Sequence, residues 1–262
     1  MSRIEDLDRI RTALSAAAEA LRPHRSGAVA FEHKSPGDPV TEADRAVDAT
    51  LRAVLPRDGE GWLSEESVDD SRRLACERVW VVDPIDGTRE FVEGIPEWVV
   101  SVGLVEGGRA VAGGILNPST GELFVGGCGV GVTLGGAPVH ARARTELRDA
   151  DVVVSLSEWR RGEWRGLDDA PFRARPVGSV AYKLALVAAG LAEATWSPHP
   201  RHEWDVAAGV ALVLAAGGEV FTREGDEPQF NRPDPRGLRI AACGGGLGAE
   251  VRAWLDSRGG VA

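Results

Sequence analysis

Four acidic segments carry residue types and spacings that suit chemistry: D-P-V-T-E-A-D (38–44), S-E-E-S (64–67), D-P-I-D-G-T (83–88) and W-D (204–205). In most of them a carboxylate closes an apolar strand pattern or opens a helix pattern. An ionised carboxylate is costly to bury without a partner, so several that converge require a cation. Hard divalent ions answer that need, and Mg²⁺ favours a few carboxylates together with water and substrate phosphate. D-P-I-D-G-T is the most specific piece. Asp83 ends the apolar run VWVVD, Pro84 forces an extended entry, and Asp86 projects from the turn. Gly87 lets the backbone approach a ligand closely. A helix opening at Gly87 would aim free N–H groups at a phosphate, with the Thr88 hydroxyl beside it. The plainer alternative is a helix N-cap turn, where Asp and Thr are favoured in any case.

Other chemistries fit less well. An aspartyl-phosphate phosphatase of the haloacid-dehalogenase type needs D-x-D-G-T, and here Ile85 occupies the position of the second Asp. A nucleotide-binding module needs a Gly-rich fingerprint, and GGCGVGV (126–132) fails that spacing. His199 and His202 suggest a His-x-x-His zinc pair, but Pro198 and Pro200 deny it a regular helix.

The elements that must position these residues follow from periodicity. Apolar residues at helical spacing predict a helix over 4–21, ended by Pro23. AVAF (28–31) reads as a strand and HKSPGDPV as a loop dense in Pro and Gly. Thr41, with Asp44 three residues on, opens a second helix as a capping-box variant. GWLS, VWVVD, WVVSVGLV, AVAGGILN, ELFVGG and GVTLGG then predict a long antiparallel sheet to about residue 136. From about residue 148 the pattern alternates strands (151–156, 192–196, 219–222, 238–243) with helices (179–190, 204–217 and near 247–257). The expected architecture is α+β followed by α/β. The expected division is residues 1–140, with most of the metal ligands, and 141–262, supplying Asp205 and the substrate pocket.

Composition narrows the partners. With 30 basic and 40 acidic residues the formal charge is −10, which disfavours a nucleic-acid polymer or an anionic membrane. An anionic small molecule remains compatible where metal ions reverse the local field. Cys76, Cys128 and Cys243 are widely spaced, which suits a reducing compartment. The start lacks a signal pattern and no stretch approaches a membrane span, so the reading is a cytoplasmic protein.

Lys34 with DPVTEAD, EES after a strand, WVVDPIDGT, and WDVAAG followed by GG occur together in this order. In this the chain resembles the inositol monophosphatase superfamily of Mg²⁺-dependent, lithium-sensitive phosphatases. The resemblance spans about residues 34–221. It implies a layered αβαβα sandwich that hydrolyses a small phosphate monoester with two or three Mg²⁺ ions and an activated water. By the resemblance, Glu65, Asp83, Asp86 and Asp205 are side-chain metal ligands, and the Ile85 carbonyl is another. Gly87 and Thr88 hold the phosphate. Asp44, Thr88 and Glu65 form the catalytic set, with Asp44 and Thr88 on the attacking water. Asp38 lies in the matching mobile loop, Glu66 reads as a solvated neighbour, and Lys34 reads equally as a surface lysine. Members are often homodimers, and no interface is legible here.

Two segments bear on the substrate. T-R-E-F (88–91) resembles the T-K-E-F of bacterial 3'(2'),5'-bisphosphate nucleotidases. GSVAYKLALVAAG places Ser179 and Lys183 where such enzymes bind substrate, so Lys183 either meets a second phosphate or sits on a helix surface. The sugar-binding Glu of inositol monophosphatases is replaced here by Pro198, which counts against inositol phosphate. Arg201, His199 and His202 are candidates for the leaving-group pocket. The alternatives are an inositol, sugar or histidinol phosphatase and, in another class, an inactive metal-binding regulatory protein.

Overall fold

In β4 (Arg78–Asp86) the side chains alternate between two cores. Trp80 and Val82 join one cluster, and Val79 and Val81 join another. That alternation makes β4 an inner layer, covered on both faces. The computed structural model describes residues 2–28, 31–35, 38–165, 167 and 169–258, with 31–35 and 38–40 described as backbone alone.

The larger sheet has seven strands in the order β3 (Gly61–Ser64), β4, β5 (Val99–Glu106), β6 (Arg109–Asn117), β7 (Glu122–Gly127), β8 (Gly131–Leu134) and β9 (Ala137–Val139). On its outer face lie α1 (Arg3–Leu21) and α2 (Glu42–Val54), whose Ile10, Leu14, Val47 and Leu51 pack against Trp80, Val100 and Val102. On its inner face lie α5 (Val180–Ala188) and α6 (Glu203–Ala215). The second sheet runs β11 (Arg173–Val177), β10 (Asp151–Ser155), β12 (Ala194–Trp196), β14 (Ile240–Cys243) and β13 (Glu219–Thr222). Beyond it, α7 (Gly248–Ser257) contributes Val251 and Leu255 to a third core with Val152, Val154 and Trp196. The layers are therefore αβαβα, as the resemblance implied. No helix among the described residues is long and apolar enough to cross a membrane.

Several expectations are corrected. HKSPGDPV is not a loop: β1 (Phe31–Ser35) and β2 (Asp38–Thr41) pair antiparallel across it. The expected strand AVAF lies partly outside the described residues, and β1 begins only at Phe31. The larger sheet is not wholly antiparallel, because β3 runs parallel to β4. The second sheet is mixed: β10 is parallel to β11 and β12, whereas β14 is antiparallel to β12 and β13. α4 (Leu156–Arg161) and β11 were not foreseen, because neither LSEWRR nor RARPV shows a clean apolar period.

α6 matters most for the site, because it carries Asp205. It is apolar all round and lies close to the sheet where two strands offer glycine. A Cβ on Gly113 would lie 2.4 Å from the Ala208 carbonyl oxygen, and one on Gly103 would lie 2.9 Å from the Ala208 nitrogen. Gly113→Val should therefore lift α6 and cost about 1–3 kcal/mol or more. Thermal unfolding should register a fall of several degrees, with a parallel loss of activity; an unchanged Tm would mean that the close approach is unnecessary.

At the edge of the same sheet, Glu60 ties α1 to β4. Arg9 donates to it at 2.5 and 3.1 Å, Arg78 at 3.1 Å and the Trp80 indole at 2.9 Å. Burial raises its pKa, but the hydrogen bonds from Arg9, Trp80, the Arg57 amide and Arg78 outweigh that and hold it at about 2. A depressed carboxyl adds stability above its ordinary value of 4.5, and that stability is lost as pH falls toward 2. The Tm difference between wild type and Glu60→Gln should thus be full at neutral pH and shrink between about pH 4.5 and 2. A gap independent of pH would contradict this role.

Candidate active site

The D-P-I-D-G-T segment folds as its residues require. β4 runs to Asp86, and its pairing with β5 shifts register between Asp83 and Asp86. Asp83 Oδ1 accepts from the Ile85 amide at 3.0 Å, which closes the turn locally. Gly87 has φ +98°, a left-handed conformation that glycine adopts freely. A Cβ there would also stand 3.2 Å from Glu97 and Trp98 backbone atoms. The demand for glycine is therefore a matter of backbone geometry, before any ligand is considered. α3 (Thr88–Glu93) follows at once, but it is only six residues long.

Three segments then deliver four carboxylates to one cavity of about 380 Å³. Glu65 follows β3, Asp83 and Asp86 come from β4, and Asp205 comes from the first turn of α6. Ile85, Gly87, Thr88, Ser179, Lys183, Arg201 and His202 line the same cavity. Every site residue expected from the sequence whose side chain is described therefore faces it except Asp44, Glu66 and His199. Asp44 is buried behind Thr88, whose hydroxyl donates to it at 3.2 Å and to the Ile85 carbonyl at 3.0 Å. Asp44 is in turn fixed by the Thr41 amide at 2.8 Å and the Thr41 hydroxyl at 2.6 Å, so the capping box and the link to Thr88 coexist. The side chains of Lys34 and Asp38 lie outside the described residues.

The electrostatics of the cavity are unusual. Asp83 is pushed far above the ordinary carboxyl range by burial first, then by the charges of Glu65, Asp86 and Asp205. It also shares a hydrogen bond with Glu65. Asp205 is pushed up to about 8 by burial, Asp86 and Glu65. A cation among these oxygens would reverse each shift. An all-oxygen, carboxylate-rich set suits a hard divalent ion such as Mg²⁺ and does not suit a thiolate- or imidazole-seeking metal.

Two cations, Lys183 and Arg201, line the same cavity and are held in place. Asp86 accepts from the Ser179 hydroxyl at 2.6 Å and the Ala181 amide at 2.5 Å, which joins the start of α5 to β4. Lys183 donates to the Ser179 carbonyl at 2.6 Å. Its pKa is pulled down to about 8 by burial, then by Arg201. Lys183 is thus not the helix-surface lysine of the plainer reading. Arg201 is paired with Glu158 and donates to Ser197 at 2.6 Å.

Sequence reasoning missed Glu158. It is buried on α4, where it accepts from Ser197 at 2.7 Å and from the Trp164 indole at 3.1 Å. The readable signal was Ser155 three residues before it, an N-cap at a strand end beside the site. Glu90, Ser155 and Ser157 also line the cavity unforeseen. His199 faces Glu163 at 2.7 Å, outside the cavity, because the proline-bounded segment turns it away. Ligand atoms of Glu158, Glu163 and His199 do lie within 4.8 Å of one another. Arg201, Arg161, Ser197 and Trp164 already satisfy that trio's carboxylates.

The comparisons agree with this geometry. The sequence profile described as the inositol monophosphatase family matches residues 4–251. An inositol-1-monophosphatase of Mesorhizobium japonicum is 35% identical over 211 residues, 76% of this chain and 77% of the relative. A histidinol-phosphatase of Mycobacterium tuberculosis is 34% identical over 259 residues, 94% of this chain and 96% of the relative. The structure of an inositol monophosphatase from Anabaena superposes with a TM-score of 0.76 at 28% identity, covering 96% of this chain and 95% of that one. CysQ from Bacteroides thetaiotaomicron, a bacterial member of the same family, superposes with a TM-score of 0.73 at 26% identity, covering 92% and 97%.

Proposed function

This chain belongs to the inositol monophosphatase family and is a phosphoric monoester hydrolase, and from that premise we propose that it is Mg²⁺-dependent, with 3'(2'),5'-bisphosphate nucleotides as its first substrate class. The observation that carries the reading is the convergence of Glu65, Asp83, Asp86 and Asp205 on one cavity, where burial and the neighbouring carboxylates raise the proton affinity of Asp83 and Asp205. Those side chains, with the Ile85 carbonyl, would hold the ions. Bound divalent cations supply charge neutralisation for phosphoryl oxygens and a water acidic enough to attack near neutral pH.

The chain's own groups do the rest. Asp44 holds the Thr88 hydroxyl from behind, so that the hydroxyl oxygen is presented to the cavity. There it accepts a hydrogen bond from the attacking water and fixes its line of approach. The turn at Gly87 and Thr88 places backbone N–H groups beside the phosphoryl oxygens.

Lys183 and Arg201 support the bisphosphate reading, because two cations lining the same cavity suit a second anionic group on the substrate. A second reading, histidinol phosphate, is favoured by the near full-length match to the M. tuberculosis histidinol-phosphatase and by the Glu90 carboxylate in the cavity wall, which suits an ammonium.

Asp83→Asn and Asp205→Asn should each lower kcat by about 100-fold or more while the circular dichroism spectrum stays native. Mg²⁺ should raise the Tm of the chelator-treated wild type and have little effect on either variant. Near-normal turnover in both would sink the assignment. Lys183→Met keeps the buried stem and removes the charge. It should raise KM for 3'-phosphoadenosine 5'-phosphate about tenfold more than KM for a simple monophosphate; equal rises would remove Lys183 from the specificity argument.

A further inference from the structure

We infer that Glu158 is a specificity-determining positioning residue, which acts through Arg201 to prepare the cavity for a second anionic group on the substrate. This role rests on the bisphosphate reading above and adds to it the residue that readies Arg201 for the task. β10 and β12 are parallel neighbours, with Val152 level with Ala194 and Val153 level with Thr195. The same register brings Ser155 and Ser197 level, so the chain leaves both strands at one edge of the sheet. α4 leaves the first strand and carries Glu158 in its first turn. The segment from Ser197 to Arg201 leaves the second. In open α/β sheets, ligands gather at the carboxyl ends of parallel strands. Here Ser155, Ser157 and Arg201 line the catalytic cavity from that edge, and Glu158 does not line it.

Glu158 joins the two segments from within the protein, where it is only 1% exposed. Its Oε1 accepts from the Ser197 hydroxyl at 2.7 Å and from Arg201 Nη2, and its Oε2 accepts from the Trp164 indole at 3.1 Å. Arg201 Nη2 also donates to the Ser197 hydroxyl oxygen at 2.6 Å, so carboxylate, hydroxyl and guanidinium close a triangle. The other end of Arg201 is fixed as well. Its amide donates to the Leu238 carbonyl at 2.6 Å, and the Leu238 amide donates to the Arg201 carbonyl at 2.9 Å.

A free arginine side chain carries considerable rotamer entropy, which it loses on meeting an anion. Arg201 has given up that freedom in advance, because it is held at both backbone and head. Its side chain still reaches the cavity and is 21% exposed there. The negative charge of Glu158 works against an anion, and the order it imposes on Arg201 works for one. Ser197 separates the two effects, because it belongs to the triangle and carries no charge.

The test measures kcat and KM with Mg²⁺ present for 3'-phosphoadenosine 5'-phosphate and adenosine 3'-monophosphate, which differ only in the 5'-phosphate. Wild type should prefer the bisphosphate in kcat/KM by about tenfold or more. Glu158→Ala should cut that preference about tenfold, chiefly by raising KM for the bisphosphate. Ser197→Ala opens the triangle without altering charge and should cut it about threefold, which keeps the test sound if Glu158→Ala folds poorly. In an Arg201→Met background, each of the two substitutions should change the preference by less than about twofold, because nothing remains to be positioned. A preference unchanged or increased in both single variants overturns the role, as do equal losses on the two substrates. Full effects in the Arg201→Met background overturn it too, since Glu158 would then act by another route. In each of these cases the bisphosphate reading stands. Absence of the preference in wild type overturns both.

Discussion

Repulsion between buried carboxylates is the constraint that organises this protein. Asp83 and Asp205 share one cavity with Glu65 and Asp86, and burial together with those neighbouring charges makes Asp83 and Asp205 harder to ionise. Like charges in a low dielectric do not settle into such an arrangement on their own account. The surrounding fold holds them there. β4 is clamped between two strands and covered by helices on both faces, α6 is seated against glycine faces of β5 and β6, and the start of α5 is tied to Asp86 through Ser179 and Ala181. Packing in three cores keeps four acids together, an arrangement whose repulsion a bound cation would relieve.

This explains why the middle layer is so apolar. α5 and α6 are buried on nearly all sides, and their small residues let two sheets close over them. A helix packed that tightly cannot rotate, so Asp205 in its first turn has one place to be. The same helix start carries Glu203, which anchors residues 231–232, and the His202 amide, which bonds Asp205 itself. The N-terminus of α6 is thus a fixed post that holds Asp205 and His202 together at the cavity.

The legibility of these features in the sequence followed the range of the interactions that create them. D-P-I-D-G-T was readable because a strand end, a forced turn and a helix start are all local events, and they occur as the spacing required. The capping box at Thr41 and Asp44 was readable for the same reason. That Asp44 also meets Thr88 across the fold came only through the family resemblance. HKSPGDPV misled because Pro and Gly usually break strands, whereas a short hairpin outside the main sheets tolerates Pro39 where no ladder bond is needed. Glu158 was missed because its partners lie about 40 residues away, at Ser197 and Arg201. His199 and His202 looked like a pair in sequence, and the prolines between and before them turn one toward Glu163 and the other onto Trp204.

The two sides of the cavity are built by different means, and this bears on how such a fold changes substrate. The carboxylate side depends on backbone: a strand terminus, a left-handed glycine and a helix start, none of which can shift without disturbing a core. The side lined by Arg201 and His202 depends on side chains held by other side chains, Arg201 on Glu158 and His202 on Trp204. Pairs of that kind can be exchanged without moving an element. Relatives named for inositol phosphate and for histidinol phosphate stand at nearly the same identity to this chain, 35% and 34%. A conserved backbone frame with an exchangeable side-chain wall predicts that overall identity will rank substrates poorly. The residues that discriminate should instead be found in α4 and in the segment from Ser197 to Trp204, where a few local changes set the charge and flatness of the wall that the departing group leaves.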